Sequence, residues 1–127
     1  MNLESLLKTQ QGEIDAVLGY QKIAECTDNP KIRQLLLQVA ADEGRHGAIY
    51  RSITGQTFES NPEIAAQWIA GVKAHGLTAM IAMFQKGEAA ASESIRKNAE
   101  ECPKLKQIIE DEYRHAEIMG QILELLK

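Results

Sequence analysis

Two nearly identical pentapeptides carry the side chains of this sequence that are best suited to chemistry. They are DEGRH at 42–46 and DEYRH at 111–115, and they contain two of the three histidines in the chain. In each, a glutamate precedes a histidine by three residues, a spacing that places both side chains on one face of a helix. Carboxylates and imidazoles are ligands for iron and manganese, so the repeat raises the hypothesis of a metal site.

The elements that must position these residues are predicted to be helices. Of the 127 residues, 44% are hydrophobic but only 5% are aromatic, a mixture that favours helices over strands. Asn61 and Pro62 predict the start of a short additional helix, which falters around His75 and Gly76. Apolar residues recur at helical spacing over four longer stretches, 3–26, 30–53, 77–101 and 103–127.

A short turn joins the first stretch to the second, and another joins the third to the fourth. The link between the second and third stretches is long. This connectivity is typical of a four-helix bundle with one crossover. The sequence therefore predicts a single all-α domain over 1–127. It consists of two antiparallel helical hairpins, 3–53 and 77–127, joined by a crossover at 54–76 that contains the short helix.

Composition excludes several classes of protein. A net charge of −4 without a basic stretch argues against nucleic acid or an anionic membrane as a partner. No segment approaches the roughly 20 apolar residues of a membrane span. The first residues have no basic region and no long apolar run, which predicts a cytoplasmic protein without a signal peptide. Cys26 and Cys102 form no C-x-x-C pair, which excludes a disulfide scaffold or a rubredoxin-type iron site within this sequence.

The two halves of the chain resemble each other beyond the pentapeptides. PKIRQ at 30–34 is matched by PKLKQ at 103–107, and GEIDA at 12–16 is matched more faintly by GEAAA at 87–91. The same three motifs occur twice in the same order, which indicates an internal duplication.

A glutamate interrupts the apolar seam of each long helix, and two of the four are followed on the same seam by a histidine. Measured from the turn of the first hairpin, Glu13 and Glu43 lie roughly 21 and 24 Å along their helices. In the second hairpin, the distances of Glu88 and Glu112 from the turn differ by some 6 Å. We therefore expect four carboxylates and two imidazoles in the middle of one bundle. These residues are Glu13, Glu43, His46, Glu88, Glu112 and His115.

Four buried carboxylates without a cation would be prohibitive, because each desolvated charge costs several kcal/mol. Two divalent cations would neutralise them. One glutamate from each of two helices, with a Glu-x-x-His pair from each of the other two, is the ligand arrangement of di-iron and di-manganese carboxylate proteins. The alternative is a bundle whose inward polar side chains pair among themselves.

This pattern resembles the rubrerythrin family of the ferritin-like superfamily over essentially the whole chain. The resemblance implies a ferritin-like four-helix bundle that binds two iron ions, with manganese or zinc as possible substitutes. It also implies that Glu43 and Glu112 bridge the metals, that Glu13 and Glu88 are terminal ligands, and that His46 and His115 each bind one metal. Tyr20, two turns after Glu13, falls where related proteins keep a tyrosine beside the site.

The sequence departs from the family pattern in two respects. Many rubrerythrins have a further glutamate three residues after the ligand of the third long helix, and Ala91 holds that position here. They also commonly carry a rubredoxin-like domain, which this sequence lacks. The six remaining ligands look closer to the ferroxidase centre of bacterioferritins.

The resemblance implies a non-haem di-iron oxidoreductase that reduces hydrogen peroxide or dioxygen. Its electrons would come from an external donor such as a rubredoxin or a reductase. The alternative is a ferritin-like ferroxidase that binds and oxidises ferrous iron, and a third hypothesis is a hydroxylase of an organic substrate. A homodimer is expected, because the crossover is apolar and related proteins dimerise.

Other residues of the repeats and the crossover have simpler interpretations. We expect Arg45 and Arg114 to form ion pairs rather than to take part in catalysis, and His75 to be structural or exposed. Trp68 is expected to cover the crossover or to make a subunit contact. One hypothesis for Asp42 and Asp111 is a hydrogen bond to a ligand histidine of a neighbouring helix.

Overall fold

The computed structural model describes residues 2–127, and every regular element in that range is helical. The predicted all-α class, the four long helices and the short helix of the crossover are confirmed. The five helices are α1 (Leu3–Ala24), α2 (Pro30–Thr54), α3 (Pro62–His75), α4 (Leu77–Glu101) and α5 (Lys106–Leu125).

Two helix ends differ from the predicted ones. The first helix ends at Ala24 rather than at Cys26, because the N–H groups of Glu25 and Cys26 donate to the carbonyls three residues earlier and close a tighter turn. The stretch after Cys102 begins with a 3₁₀ turn, Pro103–Leu105, before α5 starts. Proline suits this position because its missing N–H would have no partner in a first turn.

The turn between α1 and α2 has the capping residues that its sequence indicates. The side chain of Asn29 accepts hydrogen bonds from the N–H groups of Lys31 and Ile32, and Pro30 occupies the first turn of α2. At the other end of α2, Gly55 adopts a left-handed conformation with φ of 72°, and its N–H donates to the carbonyl of Arg51. A residue with a Cβ would be strained there, so the helix ends at this glycine.

The chain divides into two compact units, residues 1–74 and residues 75–127. In the first unit α1 packs along α2 as a helical hairpin, and in the second unit α4 packs along α5 in the same way. Both predicted hairpins are therefore confirmed. The prediction of a single domain over 1–127 stays a prediction.

The predicted inward seams are the buried faces of the long helices, and the seams of α2 and α5 hold the most completely buried residues. Leu36, Val39 and Tyr50 of α2 are fully buried, as are Met119 and Ile122 of α5. Leu3, the first residue of α1, is 56% exposed.

Helix α3 rests on α1 through its tryptophan. The indole ring of Trp68 lies over Gly19, and it meets the ring of Tyr20 edge-on, with centroids 5.1 Å apart and an interplanar angle of 65°. A Cβ at residue 19 would lie 2.5 Å from Cε3 and Cζ3 of Trp68. The ring of Trp68 therefore packs on α1, and Gly19 allows it to approach the helix; that Trp68 covers the crossover or makes a subunit contact stays a prediction.

Gly19→Ala is expected to lower the free energy of unfolding by about 1–3 kcal/mol, because the rigid indole must move away from the new methyl group. The expected change is a net one: it already includes the gain of about 1 kcal/mol from replacing a helical glycine with alanine. Trp68 is the only tryptophan of the chain, so its fluorescence emission should shift to longer wavelength as the ring becomes hydrated. Urea unfolding and emission spectra measure the two effects.

Gly12→Ala is the matched control on the same helix. A Cβ at residue 12 meets nothing within 4 Å, so this variant should be more stable by up to about 1 kcal/mol. Its Trp68 emission should match that of the wild type. Equal stability changes at Gly12 and Gly19 would contradict the packing argument.

Polar side chains of α1 attach the start of the crossover to the first hairpin. The buried amide of Gln10 donates to the carbonyl of Gln56 at 2.8 Å and accepts from the hydroxyl of Thr54 at 2.7 Å. One turn further along α1, the carboxylate of Asp15 accepts from the N–H of Asn61 at 2.8 Å. These contacts join residues that are more than 40 positions apart in the sequence.

None of the helices formed by residues 2–127 combines the length and the apolar character that crossing a membrane requires.

Candidate metal centre

The first unit holds a buried cluster of two carboxylates and one imidazole. Glu13 comes from α1, and Glu43 and His46 come from one turn of α2. Their exposed fractions are 7%, 4% and 0%. The imidazole Nδ1 of His46 lies 3.5 Å from Oε2 of Glu13 and 3.6 Å from Oε1 of Glu43. Each of the three residues offers a potential ligand atom within 4.8 Å of the other two.

The second unit holds a cluster of the same composition. Glu88 comes from α4, and Glu112 and His115 come from one turn of α5, with exposed fractions of 6%, 1% and 0%. The imidazole Nδ1 of His115 lies 3.5 Å from Oε2 of Glu88. Potential ligand atoms of the three residues again lie within 4.8 Å of one another. The internal duplication therefore extends from the sequence to the local geometry of both hairpins.

The spacing of the donor atoms suits a metal ion better than a direct hydrogen bond. A charged N–H···O bond brings its heavy atoms to about 2.7–2.9 Å, well below the 3.5 and 3.6 Å between imidazole and carboxylates here. Two ligands that each lie about 2.0–2.2 Å from one transition metal, at an angle near 110°, are about 3.3–3.6 Å apart. Both clusters therefore fit a metal ion.

A cation would offset the charge of each cluster. Two ionised carboxylates and one neutral imidazole carry two negative charges, and each buried charge without a counterion costs several kcal/mol. One divalent ion would bring each cluster to formal neutrality. Oxygen and imidazole donors without thiolate favour iron or manganese over a structural zinc site.

The aspartate and arginine of each pentapeptide form an ion pair within their own helix. Arg114 Nη2 lies 2.9 Å from Asp111 Oδ1, and Arg45 pairs with Asp42 in the same i, i+3 relation. The aspartates are buried and the arginines are exposed, so each ion pair joins a buried carboxylate to a guanidinium at the surface. This confirms the prediction that Arg45 and Arg114 form ion pairs. The hydrogen bond of Asp42 and Asp111 to a neighbouring histidine stays a prediction.

Tyr113 stands where the first repeat has Gly44, and it joins α4 to α5 on the surface of the second unit. Its hydroxyl donates to Glu93 Oε1 at 2.5 Å, and Arg96 pairs with the same carboxylate at 3.2 Å. The hydrogen bond from Tyr113, assisted by Arg96, lowers the pKa of Glu93 below its usual value. The difference between the two pentapeptides therefore has a structural explanation outside the metal cluster.

The prediction that Tyr20 neighbours the metal site stays a prediction. Tyr20 is buried against Trp68, and His75 is exposed at the end of α3, as predicted. The roles of Gln10 and Asp15, which form hydrogen bonds with the crossover close to Glu13 in the sequence, were not predicted. A signal for Gln10 was available, since it is a polar residue on an apolar seam one turn before Glu13.

Comparison with known proteins identifies the family. The rubrerythrin family model matches residues 4–123, nearly the whole chain. The chain belongs to the rubrerythrin family. No curated protein and no solved structure was found to match it significantly.

Membership of the rubrerythrin family confirms the resemblance inferred from the pentapeptides and their partner glutamates. It also confirms the ferritin-like, all-α fold class. Rubrerythrins typically bind iron, and the buried carboxylate and histidine clusters of this chain are able to hold metal.

Proposed function

We propose that this rubrerythrin-family protein is a non-haem di-iron oxidoreductase that reduces hydrogen peroxide or dioxygen. The observation that carries the proposal is the duplicated cluster. Each hairpin holds a buried set of two glutamates and one histidine whose donor atoms are spaced for a metal ion. The family match over residues 4–123 supports iron as the metal.

The ligand roles in this proposal follow the resemblance residue by residue. Glu43 and Glu112 would be ligands shared by two irons, and Glu13 and Glu88 would each be a terminal ligand of one iron. His46 and His115 complete the set. When bound, the iron pair supplies the electrons that reduce a peroxide or dioxygen molecule.

The protein's own contribution is to hold these ligands and to keep bulk water away from them. The i, i+3 spacing within α2 and α5 orients each glutamate with its histidine, so one helical turn presents two donors together. Side chains one or two turns from the candidate ligands along α2 and α5, such as Leu36, Tyr50 and Met119, are fully buried. An apolar, water-poor site strengthens electrostatic interactions between the ligands and a bound cation.

The electrons must come from outside this sequence, because its two cysteines do not form a rubredoxin-type iron site. Cys26 and Cys102 are free thiols at the ends of α1 and α4. An external rubredoxin or reductase is the proposed donor.

The second candidate function is iron handling, in which ferrous iron is the substrate and is oxidised for storage or transfer. Ala91 favours it, because a further glutamate stands at this position in many rubrerythrins. Six ligands without the seventh resemble a ferroxidase centre.

Anaerobic reconstitution with ferrous iron tests the proposal and separates the two functions. We expect about two irons per chain, the number that four carboxylate ligands neutralise. Oxidation by hydrogen peroxide and by dioxygen is then followed optically in stopped flow. Repeated turnover with an added reductant supports the oxidoreductase.

The amount of iron consumed distinguishes the alternative. Uptake of many more than two ferrous ions per chain, with release or storage of ferric iron, would support ferroxidase activity. Binding of at most one iron per chain would contradict the di-iron centre and both functions based on it.

A further inference from the structure

The first unit contains a cavity that the proposed redox activity does not use. It has a volume of about 180 Å³ and lies between the first hairpin and the start of the crossover. Its wall contains Gly44 and Gly47, the residues that directly follow the candidate ligands Glu43 and His46. The cavity therefore lies against the outer side of the turn of α2 that carries the metal cluster.

Small and apolar residues create the space. Gly44, Gly47 and Ala48 of α2 line the cavity together with Ile14 of α1 and Phe58 of the crossover, and the side chain of Ile14 packs directly against Gly47. A side chain at residue 44 would have room, since a Cβ there meets only a methyl group of Val17 at 3.9 Å. Glycine at this point of the first repeat, where the second repeat has Tyr113, leaves the cavity open.

The polar groups of the lining are few and positively charged on balance. The lining includes Arg51, whose side chain carries a guanidinium, and Thr57, whose side chain carries a hydroxyl, and none of the described residues that line it is an aspartate or glutamate. Gln10 also borders it, but its amide already donates to Gln56 and accepts from Thr54. A ligand would therefore meet an apolar floor and a cationic edge.

We propose that this cavity binds a short-chain monocarboxylate. Its carboxylate would pair with Arg51, which can form two parallel hydrogen bonds to such a group, and its alkyl chain would lie on Ile14 and Ala48. The volume equals that of about six water molecules at about 30 Å³ each, which suits a ligand of about six to eight non-hydrogen atoms. Butyrate, with six, is the probe of choice.

Nuclear magnetic resonance titration of the ¹⁵N-labelled full chain, saturated with diamagnetic zinc, tests the proposal. Butyrate should shift the amide signals of Gly44, Gly47 and Ala48, with a dissociation constant on the order of 1 mM for so small a ligand. Acetate should bind more weakly because it covers less of the apolar floor. Butyramide, which has the same shape without the charge, should bind at least about 10-fold more weakly than butyrate.

Two variants locate the binding site. Arg51→Gln removes the cation and should weaken butyrate binding by at least about 10-fold, and Ala48→Leu should block the cavity. Both residues are exposed on α2, so both variants should keep the fold, and leucine is a good helix former. Lys31→Gln, which removes one positive charge from the start of α2, is the matched control and should bind butyrate as the wild type does.

The outcomes separate the proposal from the metal centre. Butyrate bound directly to zinc would still bind to Arg51→Gln, and that result would overturn the proposal. Absence of shifts at Gly44 and Gly47 up to about 50 mM butyrate, far above the expected dissociation constant, would also overturn it, as would equal binding of butyramide. The comparison of butyrate with butyramide uses the wild-type chain alone, so it stands even if a variant fails to fold.

Discussion

Replacing Glu43 with alanine is expected to abolish the binding of both irons. In the proposed centre Glu43 and Glu112 each belong to both metal positions, so Glu112→Ala should have the same effect. Even residues that only support a metal ligand change affinity by about 10–100-fold when they are replaced. We therefore expect the loss of a bridging ligand to weaken iron binding by at least about 100-fold. Iron titration under anaerobic conditions, with metal analysis after gel filtration, measures it.

The number of irons that each variant still binds would distinguish bridging from terminal ligands. Glu13→Ala should affect mainly one metal position and leave about one iron per chain, because Glu13 is proposed to be a terminal ligand. Glu110→Ala is the matched control for Glu112→Ala. It removes an exposed glutamate two residues earlier on α5 and should leave iron binding unchanged. Undiminished iron binding in Glu43→Ala would contradict the assignment of the cluster.

The second large effect is a change in the free energy of unfolding of the metal-free protein when Glu43 is replaced with glutamine. In the metal-free protein, Glu43→Gln is expected to raise the free energy of unfolding by about 1–3 kcal/mol, because it removes one buried negative charge from the cluster while keeping its shape. With metal bound, the wild type should instead be more stable than Glu43→Gln. A ligand at 1,000 times its dissociation constant stabilises the folded wild type by about 4 kcal/mol, and the variant would lose most of this.

Urea unfolding of both proteins, with a chelator and with excess zinc or ferrous iron, measures this reversal. Glu110→Gln is the control, since an exposed glutamate should change stability by no more than about 0.5 kcal/mol in either condition. If Glu43→Gln were destabilising in the presence of a chelator, the buried carboxylates would be stabilised by protein groups rather than by a cation.

The local features of the fold could be predicted because they depend on residues close together in the sequence. The inward faces of α2 and α5 follow from apolar residues at helical spacing, and Asn29, Pro30 and Gly55 mark the ends of α2 through their own backbone preferences. The pairing of glutamate and histidine in each cluster has the same origin. An i, i+3 spacing brings two side chains together wherever the helix lies.

Contacts between distant segments could not be predicted in this way. The position of α3 depends on one close approach, of Trp68 to Gly19, and a glycine within a helix does not reveal which ring it will meet. The hydrogen bonds of Gln10 to Gln56 and of Asp15 to Asn61 likewise depend on the path of the crossover. The cavity beside Arg51 likewise depends on the path of the crossover, which brings Thr57 and Phe58 opposite Gly44.

The sequence by itself determined the all-α class, the two hairpins and the inward position of the six candidate ligand residues, since helical periodicity encodes which side chains face inward. Only the tertiary structure decided that each glutamate and histidine set closes to 3.5–3.6 Å within its own hairpin, a spacing suited to a cation rather than to a hydrogen bond. The physical reason is that periodicity specifies the direction of a side chain, whereas distances between helices depend on the packing of all the side chains between them. DEGRH and DEYRH therefore carry one candidate ligand motif in two settings: Gly44 of the first lines an open cavity, and Tyr113 of the second forms a surface hydrogen bond from α5 to Glu93 of α4.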